Sequence, residues 1–185
     1  TFIKNKSIHN MNHYVLDYNK ELASNYFTQS KEVIRFYEKF FGDYQWYDDG
    51  YKLIEVPYLG MEHQSAVTYG NGFSIYNGVR SKSWPMYGVI DPLIIHETGH
   101  EWFGNSVTAS DPTHIWIHEG LQVYSEALYF EDKFNSYPVS IDYLKSIKGR
   151  IANKIPIVGN EDENHWALSG DTYMKGAWIM HTLRS

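Results

Sequence analysis

The sequence predicts an α+β fold, a small N-terminal sheet followed by a mainly helical part. Three observations carry this. Short segments rich in β-forming residues cluster at about residues 45–80. After Pro85 the apolar spacing changes to three and four residues, the period of a helix packed on one face. The chain has 185 residues, 43% of them hydrophobic and 21% charged, so it can bury a core and has an ordinary globular composition. Strands first and helices after suits a sheet packed against helices, within a single domain over residues 1–185.

Residues 1–20 are mixed and Asn-rich. From Glu21 to Phe41 the spacing of Leu22, Tyr26, Val33, Phe36, Tyr37 and Phe40 predicts a helix, with Gly42 as its stop. Asp48-Asp49-Gly50 marks a turn. Tyr51–Tyr58 and Gln64–Tyr69 read as strands, and Phe73–Tyr76 as a third after the Asn71-Gly72 turn. Asp91-Pro92 is an N-cap followed by proline in the first helical position. That helix should run through His96 and His100 to about Gly104. Further helices are expected from Ile115 to about Phe130, over Ser140–Asn153 and over Asp171–Arg184. The first two of these helices thus occupy about residues 91–134 and the final helix about 171–185.

Charge and cysteine content narrow the function. With 16 Lys and Arg against 22 Asp and Glu, the net charge is −6, which gives no bulk attraction to nucleic acid or an anionic membrane. No cysteine is present, so disulfides, thiolate metal sites and a cysteine nucleophile are excluded. No apolar run approaches the roughly 18 residues of a membrane span, and no signal peptide is visible. The chain begins at Thr1 rather than Met. Together with the lack of cysteine, this leans towards an exported or periplasmic protein. There are 9 His, the residue type to follow as metal ligand or acid–base group.

His96-Glu97-Thr98-Gly99-His100 is an H-E-x-x-H pattern on a predicted helix. Residues four apart project from one helical face, so His96 and His100 can reach one ion. Glu97 lies one step round. There it can take a proton from a metal-bound water without being a ligand itself. Glu119 on the next helix supplies a third ligand. Two His and one Glu form a catalytic zinc set, with the fourth position open to water. His114 and His118 are also four apart and could compete as a metal pair, although no acid stands between them. His9, His13, His165 and His181 have no metal spacing.

These residues resemble the aminopeptidase N and leukotriene A4 hydrolase family, zinc metallopeptidases of the gluzincin type. The match begins with His96-Glu97-Thr98-Gly99-His100-Glu101-Trp102-Phe103-Gly104-Asn105 and Val107-Thr108. It continues with 18 residues between His100 and Glu119, then Trp116, Glu119-Gly120, Tyr124 and Glu126. Upstream, Gly60-Met61-Glu62 is similar to the exopeptidase motif Gly-x-Met-Glu-Asn. Downstream, Tyr173-Met174-Lys175-Gly176 is similar to the segment that carries the family's catalytic tyrosine.

The resemblance implies a thermolysin-like catalytic fold and one Zn²⁺ per chain, held by His96, His100 and Glu119. Glu97 would be the general base, and then the acid that protonates the leaving amine. Tyr173 would donate to the oxyanion of the tetrahedral intermediate. Glu62 would pair with the α-ammonium of a peptide with a free N-terminus, with the backbone of Gly60 and Met61 along the substrate. Glu126 could orient a zinc-ligating histidine or be an exposed surface residue. His63 stands where most of the family has Asn and adds a titratable group near the amine pocket. The resemblance also implies a β-rich domain before this region and further helices after it. The chain would then be a catalytic core missing its flanking domains, with apolar surface exposed where they pack. The expected activity is that of a zinc aminopeptidase. The alternatives are a zinc endopeptidase on the same fold, with Glu62 serving the sheet edge, and a zinc-bearing binding domain without turnover.

Overall fold

The computed structural model describes residues 10–70, 72–73, 90–161 and 169–185. Two compact units form, Thr1–Trp102 and Phe103–Ser185.

The first unit holds the sheet. Its elements are β1 (Met11–Tyr14), α1 (Lys20–Phe27), α2 (Gln29–Phe41), β2 (Tyr51–Glu55), β3 (Gly60–Met61), β4 (Val67–Tyr69) and α3 (Pro92–Gly99). The strand order is β1-β2-β4-β3. β1, β2 and β4 run parallel, with Met11 opposite Tyr51 and Leu53 opposite Val67. β3 is antiparallel to β4, with Gly60 opposite Tyr69. Alternate side chains of β2 face the core: Tyr51 and Leu53 are buried, while Lys52 and Ile54 are half-buried. α2 buries Ser30, Val33, Ile34 and Tyr37, the stripe expected of an amphipathic helix. Phe27, Tyr69 and Phe73 pack ring to ring at 5.2–5.3 Å, and Tyr37 stacks on Trp102 at 5.0 Å. Gly42 ends α2 at φ 95°, and its carbonyl accepts the Trp102 indole N–H at 2.9 Å.

Several sequence expectations are corrected here. The helix expected over Glu21–Phe41 is two helices, broken at Thr28. The hydroxyls of Thr28 and Ser30 bond the carbonyls of Asn25 and Phe27, at 3.2 and 2.6 Å, and so compete with the helical ladder. The first two strands are shorter than expected, and β1 and β3 were not expected. Phe73 lies in a turn at φ 52°, and the rest of the strand expected over Phe73–Tyr76 falls outside the described residues. α3 ends at Gly99 rather than Gly104 because the bonding tightens. The N–H groups of Glu101 and Trp102 bond Thr98 and Gly99, three residues back, at 3.1 and 2.9 Å.

The second unit is helical. α4 (Trp116–Phe134), α5 (Tyr137–Lys148) and α6 (Gly170–Arg184) follow a short 3₁₀ turn at Pro112–His114. α4 runs past the expected Phe130, to a left-handed Asn135 at φ 47°. α5 starts three residues early because Pro138 sits in its first turn. Val123, Ala127, Phe130, Leu144 and Ile147 form its core. The indole of Trp178 donates to the Leu144 carbonyl at 3.2 Å, joining α6 to α5. Arg184 makes a two-pronged pair with Glu131 at 2.7 and 2.8 Å, joining α6 to α4. Among the described residues, no helix is long and apolar enough to cross a membrane.

Candidate active site

In the first unit, α3 carries His96, Glu97 and His100, and its ends are fixed by named bonds. Asp91 caps the N-terminus, its Oδ1 accepting the Leu93 N–H at 2.9 Å. Its Oδ2 accepts the Tyr69 hydroxyl at 2.6 Å, and its own N–H donates to Gln29 Oε1 at 2.9 Å. Tyr37 donates to the Ile95 carbonyl at 3.3 Å, and the hydroxyls of Tyr51 and Thr98 meet at 2.7 Å. Burial pushes the Tyr69 phenol up, with Asp91 adding to the shift, and burial also pushes up Tyr51. Both therefore stay protonated at neutral pH.

The histidine pair meets as its spacing requires. The Nε2 atoms of His96 and His100 lie 3.1 Å apart with their rings nearly perpendicular, and His100 is buried. Two nitrogens on one tetrahedral zinc, at roughly 2.0–2.1 Å each, sit about 3.3 Å apart. The donor chemistry and the separation both fit zinc.

Glu97 is buried and faces β3. A Cβ on Gly60 would fall 2.7 Å from Glu97 Oε1, so only glycine leaves the carboxylate its place. Glu62, just after β3, is half-buried. It offers a carboxylate oxygen that, with donor atoms of Glu97 and His100, falls in a set spanning no more than 4.8 Å. Three of the sequence-predicted residues are thus brought together inside one unit. Met61 is 42% exposed on the sheet edge, and His63 is exposed. The stretch after Glu62 is pinned by Ser65, at φ 57°, whose N–H donates to Glu101 Oε1 at 2.7 Å.

The second unit carries three further predicted groups, Glu119, Tyr173 and Glu126. Glu119 is buried in the first turn of α4, where the helix dipole favours a carboxylate. Tyr173, in the first turn of α6, donates its hydroxyl to Glu119 Oε1 at 3.0 Å. Asp171 anchors that turn by accepting the N–H groups of Ala152 and Asn153 at 2.7 and 2.6 Å. Glu126 is fully buried and accepts the Tyr143 hydroxyl, which rules out the exposed-surface alternative. The competing histidine pair is engaged elsewhere. His118 Nε2 accepts the Ala109 N–H at 2.8 Å, and His114 Nε2 meets Glu161 Oε1 at 2.9 Å.

Residues 26–185 match the sequence profile of the peptidase family M1 domain. The chain belongs to peptidase family M1.

Among M1 relatives, endoplasmic reticulum aminopeptidase 2 of Homo sapiens is 28% identical over 170 residues, covering 84% of this chain and 17% of the relative. Aminopeptidase M1-A of Oryza sativa subsp. japonica is 29% identical over 144 residues, covering 72% and 16%. The chain therefore spans 16–17% of the length of these relatives. An M1 zinc metallopeptidase from Deinococcus radiodurans superposes with a TM-score of 0.63 at 22% identity, covering 84% of this chain and 32% of that one. A mutant of that enzyme has been solved with a Tyr-Ser-Ala substrate. The structural likeness establishes the M1 fold, a small mixed sheet followed by a mostly helical part, in agreement with the α+β expectation.

The ligand and base candidates of this M1 chain are visible in its sequence, and their supports are not. Tyr51, Tyr69 and Tyr143 are ordinary core residues by pattern and Gln29 an ordinary polar helix residue, and only contact reveals their role. Gly120 and Gly176 lie within the motifs that carry the family resemblance, which implies no role for either. Nothing in helical periodicity marks them except that glycine is a poor helix former.

Proposed function

We propose that this chain is the catalytic part of a zinc-dependent aminopeptidase, hydrolysing the N-terminal bond of peptides with a free amine. His96, His100 and Glu119 would hold one zinc, and both units belong to one catalytic domain in this reading. The observation that carries it is the 3.1 Å separation of the His96 and His100 Nε2 atoms beside a buried Glu97. Bound zinc supplies Lewis-acid polarisation of the scissile carbonyl and makes water a nucleophile near neutral pH.

The chain's own residues do the rest. Glu97 accepts the proton of the attacking water at a carboxylate oxygen and delivers it to the leaving amine. Its burial and its fixed approach to Gly60 support that role. Tyr173 donates its hydroxyl to the developing oxyanion. Its bond to Glu119 supports placing that donor beside the third ligand. Glu62 pairs with the substrate α-ammonium, and the Gly60–Met61 backbone runs along the peptide. An amine held at one end sets the register, so cleavage follows the first residue. His63, next in sequence to Glu62, adds an imidazole near the amine pocket in this reading. The greater length of the relatives supports flanking domains as partners of this part.

The test is metal analysis of this chain together with hydrolysis of one peptide offered free and N-acetylated. One zinc per chain and cleavage of the free peptide alone is the expected result. Equal cleavage of both would make it an endopeptidase. Zinc without hydrolysis would make it a binding domain, and absence of zinc binding would overturn the reading.

A further inference from the structure

We propose that Gly120 and Gly176 are positioning residues: their backbone contact sets the distance between α4 and α6 at which Tyr173 reaches Glu119. A Cβ on Gly120 would lie 2.8 Å from Gly176 Cα, and a Cβ on Gly176 would lie 2.7 Å from Gly120 Cα. Both neighbours are backbone atoms of buried residues, so neither can swing aside. The helices touch main chain to main chain. Carbon atoms need roughly 3.5–4.0 Å, so one added methyl forces the backbones apart by about 1 Å.

The place of the contact gives it this role. Gly120 follows Glu119 directly, and Gly176 lies one helical turn after Tyr173. The Tyr173–Glu119 hydrogen bond is 3.0 Å long. A displacement of about 1 Å at an adjacent residue carries it beyond hydrogen-bond range. Thr172 and Trp116 close the same crossing, with the Thr172 carbonyl 3.2 Å from a Gly120 Cβ and Trp116 Cε3 3.7 Å from a Gly176 Cβ. Glycine weakens both helices, and the close crossing explains its presence at both positions. The contact stands on geometry within one unit. Its consequence for catalysis rests on the proposed function.

The test is a double-mutant cycle on the full 185-residue chain, read as the thermal midpoint. Tyr173→Phe should lower the midpoint by about 3 °C in the parent and by less than about 1 °C in the Gly176→Ala background. Gly170→Ala is the control, because a Cβ there meets nothing within 4 Å, and it should leave the Tyr173→Phe drop intact. An equal drop in the parent and Gly176→Ala backgrounds overturns the proposal. Gly120→Ala makes the reciprocal clash and carries the same expectation. If neither alanine variant folds while Gly170→Ala does, the pair anchors the unit rather than setting a distance, and the proposal is overturned. In peptide hydrolysis, Gly176→Ala should lower kcat about 10²-fold with KM within about threefold, and add no loss to Tyr173→Phe. If Tyr173→Phe leaves kcat unchanged, Tyr173 loses its proposed catalytic role, while the thermal cycle still decides the glycine pair.

Discussion

Tyr69 donates its phenol hydrogen to Asp91 Oδ2 at 2.6 Å, and the same carboxylate caps the helix that bears His96, Glu97 and His100. One buried side chain thus fixes where α3 starts and ties it to β4. Asp91→Ala removes the cap and strands the Tyr69 hydroxyl, for a combined loss of about 2–3 kcal/mol. Urea unfolding measures it, with Asp91→Asn keeping part of the cap. An Asp91→Ala variant within 0.5 kcal/mol of the parent, roughly the level of a neutral surface change, would refute this account.

Glu97→Gln keeps the shape of the side chain and removes its basicity. Zinc content should be retained while turnover falls by about 10²–10⁴-fold. Metal analysis beside peptide hydrolysis checks both halves. Loss of zinc along with activity would count Glu97 among the structural supports of the metal instead.

Tyr173→Phe deletes one donor without changing volume greatly. A lone oxyanion donor contributes about 2.7–4 kcal/mol, so kcat should drop by two to three orders of magnitude with KM little changed. Steady-state kinetics decides it. A kcat equal to the parent's would remove Tyr173 from the mechanism.

Glu62→Ala takes away the proposed partner of the substrate amine. Peptides with free N-termini should lose kcat/KM by 10-fold or more, because a charge-assisted contact is worth about 1.5–3 kcal/mol. N-acetylated peptides, poor substrates throughout, should be unaffected. An equal loss on both would place Glu62 in the general support of the site.

Arg184 is the main cause that holds the Glu131 carboxyl below its ordinary range. A carboxyl whose folded pKa is depressed adds stability above its unfolded value, near 4.3, and loses it as pH falls through the lower folded value. Urea midpoints should therefore fall more steeply below about pH 4.3 in the parent than in Glu131→Gln. The pair is partly exposed, so the difference should stay under about 1 kcal/mol. Parallel acid profiles would show that the pair contributes nothing.

The helix with His96 and His100 was legible because its signals are local. A cap, a proline and a four-residue spacing all lie within ten residues. β3 has no such local signal: its two residues are a strand only because β4 lies beside them. α1 and α2 read as one helix because Thr28 is not a strong breaker by type, and only its hydroxyl contact shows the break. α3 reads on to Gly104 because the change from four-residue to three-residue bonding leaves no mark on hydrophobic spacing. Glu126 was ambiguous for a related reason. A glutamate two turns from Glu119 shares its face, but whether that face is wet depends on Tyr143 of another helix.

Asp171 holds the backbone of Ala152 and Asn153 against the start of α6. The chain between these points is in effect a closed loop whose ends meet whatever it contains. For such a loop, doubling its length costs only about 0.6 kcal/mol of closure entropy. Insertions among the exposed residues 154–156 should therefore leave Tyr173 in place. Natural variation in length and in outward-facing chemistry can concentrate there without disturbing the first turn of α6.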